Sequence, residues 1–328
     1  MTRILVTGGS GFIGQHLVTA LADAGREVRI LDIRPPERIP ADAQYVQASV
    51  LDRKAVRDAL VGVDQVYHLA GLPGMWLPRK NEFHEVNYVG TEIVISAARE
   101  RGVARFLHCS TESILFRNSP TKQYFTGDPL GTADDMPGPY TRSKMLADQL
   151  AMQTAVSGFP LVIACPTMPI GPFDRNLTPP TAMLRHFLGN RFMVYLDFIV
   201  NLVDVRDVAT GLILAMERGQ SGHRYILGGE SIRLKAVLRM MATITGRRSL
   251  YVPIPGRFAE ATAALLELIA DHLTQRPPAG TAEGVRIALR ARALSIEKAQ
   301  KELGYSPRSV EPALRETVAY LLNGGCNR

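Results

Sequence analysis

The chain has 328 residues, 46% hydrophobic and 21% charged, enough for one large or two small domains whose core needs no disulfide or structural metal. Glycine (28) and proline (21) stand near ordinary usage, which excludes collagen-like and low-complexity structure, and Cys109, Cys165 and Cys326 form no CxxC pair, so a reducing cytoplasm is expected. The net charge is +7, but the 38 basic residues are scattered, with no basic tail or nucleic-acid motif, so they read as an arginine-rich surface and no nucleic-acid partner is expected.

Short apolar runs at 3–7, 27–31, 44–47, 65–69, 105–109 and 161–165 read as buried strands. Amphipathic stretches at 12–24, 53–61, 84–101 and 139–157 read as the helices between them. This alternation predicts an α/β, Rossmann-type, doubly wound parallel sheet. Pro166, Pro169, Gly171, Pro172, Pro179 and Pro180 then mark a long excursion. A run at 199–203, a helix at 204–217 and a strand at 224–227 read as the chain returning to the sheet. Helical periodicity at 233–244, 257–273, 295–303 and 310–322 predicts a smaller, mostly helical C-terminal lobe. The expected division is a nucleotide domain over 1–170, rejoined by 200–228, and an interleaved substrate lobe over 171–328. The longest apolar stretch, 258–270, is broken by Glu260 and Glu267 and is too short to span a bilayer, so no integral membrane association is expected. The first residues lead straight into a glycine turn, unlike a signal peptide.

That turn is Thr7-Gly8-Gly9-Ser10-Gly11-Phe12-Ile13-Gly14, between the first strand and the first helix. Glycines there allow positive φ, close approach of a pyrophosphate and tight helix–strand packing. The helix N-terminus offers free N–H groups to phosphates. Asp32 ends the second strand, 21 residues after Gly11, where a carboxylate accepts from ribose hydroxyls and repels a 2′-phosphate. Arg34 could pair with such a phosphate, but Asp32 is better placed, so NAD is favoured over NADP.

Tyr140 and Lys144 are four residues apart on one helix face. A nearby ammonium would lower the phenol pKa and make Tyr140 a usable acid/base near neutral pH. Ser110 and Thr111, at the end of the fifth strand, supply hydroxyls that could hold a substrate oxygen. The histidines make no metal motif, so no catalytic metal is expected.

Together these features resemble the extended short-chain dehydrogenase/reductase superfamily, the NAD-dependent epimerase/dehydratase family, over nearly the whole chain. Further similar stretches are His68-Leu-Ala-Gly71, Asn87-Tyr-Val-Gly-Thr91, Leu202-Val-Asp-Val-Arg-Asp-Val-Ala209 and Lys301-Glu-Leu-Gly-Tyr-Ser-Pro307. The wording after Pro166 is most similar to the hopanoid-associated sugar epimerases, dihydroflavonol 4-reductases and 3β-hydroxysteroid dehydrogenases. The resemblance implies Thr111, Tyr140 and Lys144 as catalytic residues. It implies cofactor contacts at Gly8, Gly11, Phe12, Ile13, Gly14, Asp32, Arg34, Leu69, Ala70, Ser110, Tyr140, Lys144 and Pro166, and places Asn87 near the cofactor pocket. It also implies a homodimer paired through the helices at 84–101 and 139–157. The chain departs from the family pattern with Ala48-Ser49 at the adenine-facing strand end, Thr111 in place of the commoner serine, Asp32 where the reductases carry a basic residue, and Glu112-Ser113 where sugar dehydratases carry Asp-Glu. Two outcomes share this apparatus, a dehydrogenase/reductase acting on a small, polycyclic or lipid-like alcohol or ketone and a sugar epimerase that retains its NAD; the intact Thr111, Tyr140 and Lys144 set argues against a third reading, a non-catalytic NAD-binding redox sensor. The apolar stretches 74–77, 192–196 and 258–269 favour the first.

Overall fold

The computed structural model describes residues 2–37, 40, 43–116, 123–124, 130–247 and 249–325; Cys326 lies outside them. The main sheet has seven parallel strands: β1 (Arg3–Thr7), β2 (Glu27–Asp32), β3 (Gln44–Gln47), β4 (Gln65–His68), β5 (Arg105–Cys109), β6 (Leu161–Pro166) and β7 (Arg224–Leu227). Their spatial order is β3-β2-β1-β4-β5-β6-β7. The inner strands are buried along most of their length because helices cover both faces. The helices Phe12–Asp23 and Val205–Arg218 seal one face through Leu17, Val18, Leu212 and Met216. The helices Arg53–Ala59, Gly90–Glu100 and Pro139–Val156 seal the other through Val56, Val94 and Ala151. Winding reverses between β1 and β4, which opens a crevice at the carboxyl ends of the strands.

The helix expected at 84–101 starts earlier, at Asn81, and passes through a wide π turn at His84–Val89 before Gly90–Glu100. Asn87 sits in that turn and is buried. Such π turns are frequent at functional sites.

The run at 199–203 does not rejoin the main sheet, contrary to the expectation. The strand Ile199–Asp204 pairs with Met168–Ile170 and Glu230–Arg233 in a separate three-stranded sheet. The edge beside β6 is taken by β7, and an apolar run carries no mark of which edge it will join. Helices make up most of the C-terminal lobe. The arginine run at 286–292 falls largely on the helix Ala282–Arg290, as a helical reading of that stretch expects, whereas the helix Pro179–Gly189 and a two-stranded ribbon of Phe192–Tyr195 and Leu250–Pro253 carry no clear signal in the sequence. The segment around Ala299, Leu303 and Tyr305 packs back against the main-sheet core.

His68 on β4 and His108 on β5 are both buried, with rings stacked 5.8 Å apart. Burial, seconded by the Lys144 charge, pushes His68 down to about 3 and His108 well below the ordinary imidazole range. Both are therefore neutral in the fold, while in the unfolded chain each takes up a proton as pH falls below about 6.5. The unfolded state binds more protons in that window, so stability is full above it and is lost on acidification toward pH 3. Urea unfolding is expected to show stability falling as the pH drops from about 6 toward 4, because the unfolded chain protonates the two imidazoles and the fold does not. His108→Leu is expected to reduce that slope.

Candidate active site

The glycine turn is shaped by close approach. Gly8 has φ +72°, and a Cβ there would lie 2.6 Å from the Ala70 amide nitrogen. A Cβ on Gly14 would strike the Gly8 carbonyl. No side chain caps the first helix at Gly11, so the amides of Phe12, Ile13 and Gly14 have no acceptor within their own helix. The Asp32 carboxylate accepts from the amides of Ser10 and Arg34, each at 3.1 Å. The Arg34 guanidinium turns away to donate to Asn176 Oδ1 at 2.9 Å. Leu69 and Ala70 follow β4, and their amides donate to the Thr7 carbonyl (3.0 Å) and Thr7 Oγ1 (3.3 Å). Pro166 ends β6. The crevice is thus a cradle of glycine backbone, uncapped helix amides and a carboxylate, and this donor set fits a dinucleotide.

A buried hydrogen-bond chain holds that rim. The Ala70 amide donates to Thr7 Oγ1, and Thr91 Oγ1 donates to the Asn87 carbonyl at 2.6 Å. The Thr91 oxygen must therefore accept from His68 Nε2 (2.9 Å), and Thr7 must donate to His68 Nδ1 (2.7 Å). Its partners fix the imidazole tautomer.

Thr111, Tyr140 and Lys144 meet across the end of β5. Thr111 caps a short 3₁₀ turn, Glu112–Ile114, with Oγ1 at 3.0 Å from Ser113 Oγ. The Tyr140 hydroxyl lies near the hydroxyls of Thr111 and Ser113, both of which favour its ionised form. Lys144 Nζ donates to the Cys109 carbonyl at 2.8 Å. Ser110 points elsewhere: its hydroxyl donates to Asp148 Oδ1 at 3.0 Å. Asp148 is fully buried and paired with Arg224 of β7 at 2.6 Å.

One electrostatic expectation is reversed. Burial pushes the Tyr140 phenol up to about 12 and the Glu283 carboxylate adds to the rise, outweighing the Thr111 and Ser113 hydrogen bonds that lower it. The Lys144 ammonium is directed at a carbonyl, and burial lowers its own pKa. Desolvation of the phenolate therefore dominates.

Sequence reasoning missed Glu283. It is buried, on the helix Ala282–Arg290 of the C-terminal lobe. Oε1 accepts from the Thr141 amide (2.7 Å) and hydroxyl (2.6 Å), and Oε2 from the Tyr140 amide (3.2 Å). It thereby caps the helix Pro139–Val156 from another lobe, and a side chain at Gly138 would collide with it. Its only sequence signal, an acid in the first turn of its own helix, reads as a local dipole contact. Asn87 also ties the site together. Its Oδ1 accepts from the Leu72 amide at 2.7 Å, and its Nδ2 donates to Ser143 Oγ at 3.0 Å.

Removing the Glu283 charge is expected to lower the Tyr140 pKa, because a nearby carboxylate opposes phenolate formation. Glu283→Gln should shift the basic limb of the pH–rate profile to lower pH. Glu283→Ala should cost about 1–2 kcal/mol in urea unfolding through the lost cap.

Comparison with known proteins agrees with this geometry. The chain is 30% identical to a putative dihydroflavonol 4-reductase of Synechocystis sp., covering 98% of this chain and 94% of that one. It is 28% identical to sterol demethylase protein B of Methylococcus capsulatus, covering 98% of both. Among solved structures it superposes on that of gox2253 with a TM-score of 0.83 at 29% identity, covering 99% of both chains. The NAD dependent epimerase/dehydratase family matches residues 4–228, well over half of the chain, and to that family this protein belongs.

Proposed function

We propose that the protein is an NAD-dependent dehydrogenase/reductase acting on a secondary alcohol or ketone of a small, polycyclic or lipid-like substrate. The observation that carries this reading is the placement of the Tyr140 phenol beside the Thr111 hydroxyl, with Lys144 one turn along the same helix and bonded to the Cys109 carbonyl at 2.8 Å. The amides of Phe12, Ile13 and Gly14 would hold the pyrophosphate, with Gly8 and Gly11 shaping the turn, and Asp32 would accept from the ribose hydroxyls. Leu69, Ala70 and Pro166 would complete the cofactor rim, whereas the Ser110 side chain is turned to Asp148 and would leave only its backbone to it. Arg34, engaged with Asn176, is turned from the role a 2′-phosphate would need, which supports NAD over NADP. Bound NAD supplies the hydride acceptor or donor.

The remaining chemistry belongs to the chain. Thr111 holds the substrate oxygen by a hydrogen bond. Tyr140 gives that oxygen a proton in reduction and takes one in oxidation. Lys144, anchored on the Cys109 carbonyl, sets the helix register and can reach the nicotinamide ribose. The names of two relatives, a dihydroflavonol 4-reductase and a sterol demethylase protein, support the proposed substrate class. The reading includes a cytoplasmic homodimer paired through the helices Gly90–Glu100 and Pro139–Val156; a monomeric mass in light scattering would refute that part.

Tyr140→Phe is expected to lower turnover by about 10²–10⁴-fold while nucleotide binding, followed by NADH fluorescence, is retained. Turnover that survives the change would overturn the assignment. Because the phenol sits near 12, it stays protonated at neutral pH and is ready to donate. Ketone reduction is therefore expected to be flat from about pH 6 to 8, whereas alcohol oxidation rises up to about tenfold per pH unit as the phenolate fraction grows. Mass spectrometry of the purified protein separates the epimerase alternative: tightly retained NAD(H) would favour it over release after each turnover.

A further inference from the structure

The positive charge is unevenly distributed once the lobe is folded. Residues 175–196 and 231–259 contain no aspartate or glutamate, yet they hold Arg185, Arg191, Arg239, Arg247 and Arg257. The fold joins these two segments. The helix Pro179–Gly189 leads into the strand Phe192–Tyr195, which pairs in parallel with Leu250–Pro253. Tyr251 stands on the inner side, its hydroxyl donating to the Phe187 carbonyl at 2.7 Å and its ring 5.2 Å from that of Phe187. The alternate residues face out. Phe192 is 64% exposed, Val194 51%, Leu250 62% and Val252 39%. In register Phe192 lies beside Leu250 and Val194 beside Val252, so the four make one continuous apolar patch.

Cations frame the patch. Arg191 precedes Phe192 and is exposed, and exposed Arg247 donates to the Leu188 carbonyl at 3.2 Å at the same end of the ribbon. Beyond the other strand, Arg257 lies 5.0 Å over the ring of Phe258, itself half exposed. Arg185, Arg191, Arg247 and Arg257 make no ion pair with a described carboxylate. A patch of this kind on a monomeric surface marks an interaction site.

We propose that this face docks the protein on an anionic lipid bilayer. Phe192, Val194, Leu250 and Val252 would enter the boundary between headgroups and acyl chains, and the flanking arginines would meet lipid phosphates. An apolar centre with a cationic rim is the complement of such a surface. A second copy fits poorly, because it would bring the same two acid-free segments together with no carboxylate in them to pair the arginines. Nucleic acid fits poorly too, because it offers the central aliphatic side chains nothing to enter. Among the described residues no helix is long and apolar enough to cross a membrane, so the attachment is peripheral. This inference stands apart from the redox reading, which can fail without affecting it.

The test is co-sedimentation of the full chain with vesicles of phosphatidylcholine, either alone or with about one-third phosphatidylglycerol. Binding is expected to the anionic vesicles and to fall at least about tenfold between about 0.05 and 0.5 M salt. F192S/L250S and R191E/R247E should each weaken binding at least about tenfold, with circular dichroism and melting unchanged because all four side chains are exposed. The proposal is overturned if anionic vesicles fail to bind the protein, or if both variants bind as the parent does. It is also overturned if F192S/L250S abolishes a concentration-dependent self-association, which would assign the face to a second copy.

Discussion

The Lys144 ammonium bonded to the Cys109 carbonyl is the contact on which the site depends. It pins the helix Pro139–Val156 to the end of β5, the strand that leads into Thr111. Four-residue spacing extends the arrangement along one helix face. Tyr140 meets the Thr111 hydroxyl, Lys144 the strand carbonyl, and Asp148 both Ser110 and Arg224 of β7. Lys144 and Asp148 are buried, where an unpaired charge would be costly, so the helix has one acceptable register against the sheet. The opposite flank is held by neutral groups, with Ser143 bonded to Asn87 in the π turn.

Dryness also sets the electrostatics. The same burial that fixes the geometry raises the Tyr140 phenol and lowers the Lys144 ammonium and both strand histidines. Such a site prefers neutral forms.

The lobes are coupled through backbone amides. Glu283 reaches from the C-terminal lobe to the first turn of the helix that carries Tyr140, and Trp76 and Lys80 reach from the nucleotide domain to Asp271 at 2.7 and 2.6 Å. The residues that would bind substrate and those that would move its proton therefore share anchors.

Much was legible in the chain alone because it is written locally. The strand–helix alternation, the glycine turn and Asp32 at the end of its strand need only near neighbours in sequence, and the i, i+4 pair Tyr140 and Lys144 needs only the helix period. What depends on distant partners was not legible. The 199–204 strand joins its own small sheet because β7 occupies the edge beside β6, and no periodicity encodes that choice. Glu283 looked like an ordinary first-turn acid until folding placed it 142 residues back along the chain, on the Thr141 amide. Even the scattered arginines gained meaning only when two acid-free segments were brought into one ribbon. Sequence alone determined the nucleotide fold and the reactive residue types, since both are short-range patterns. Tertiary structure decided their protonation and their long-range anchors, since burial and charge pairing exist only once distant segments are packed together.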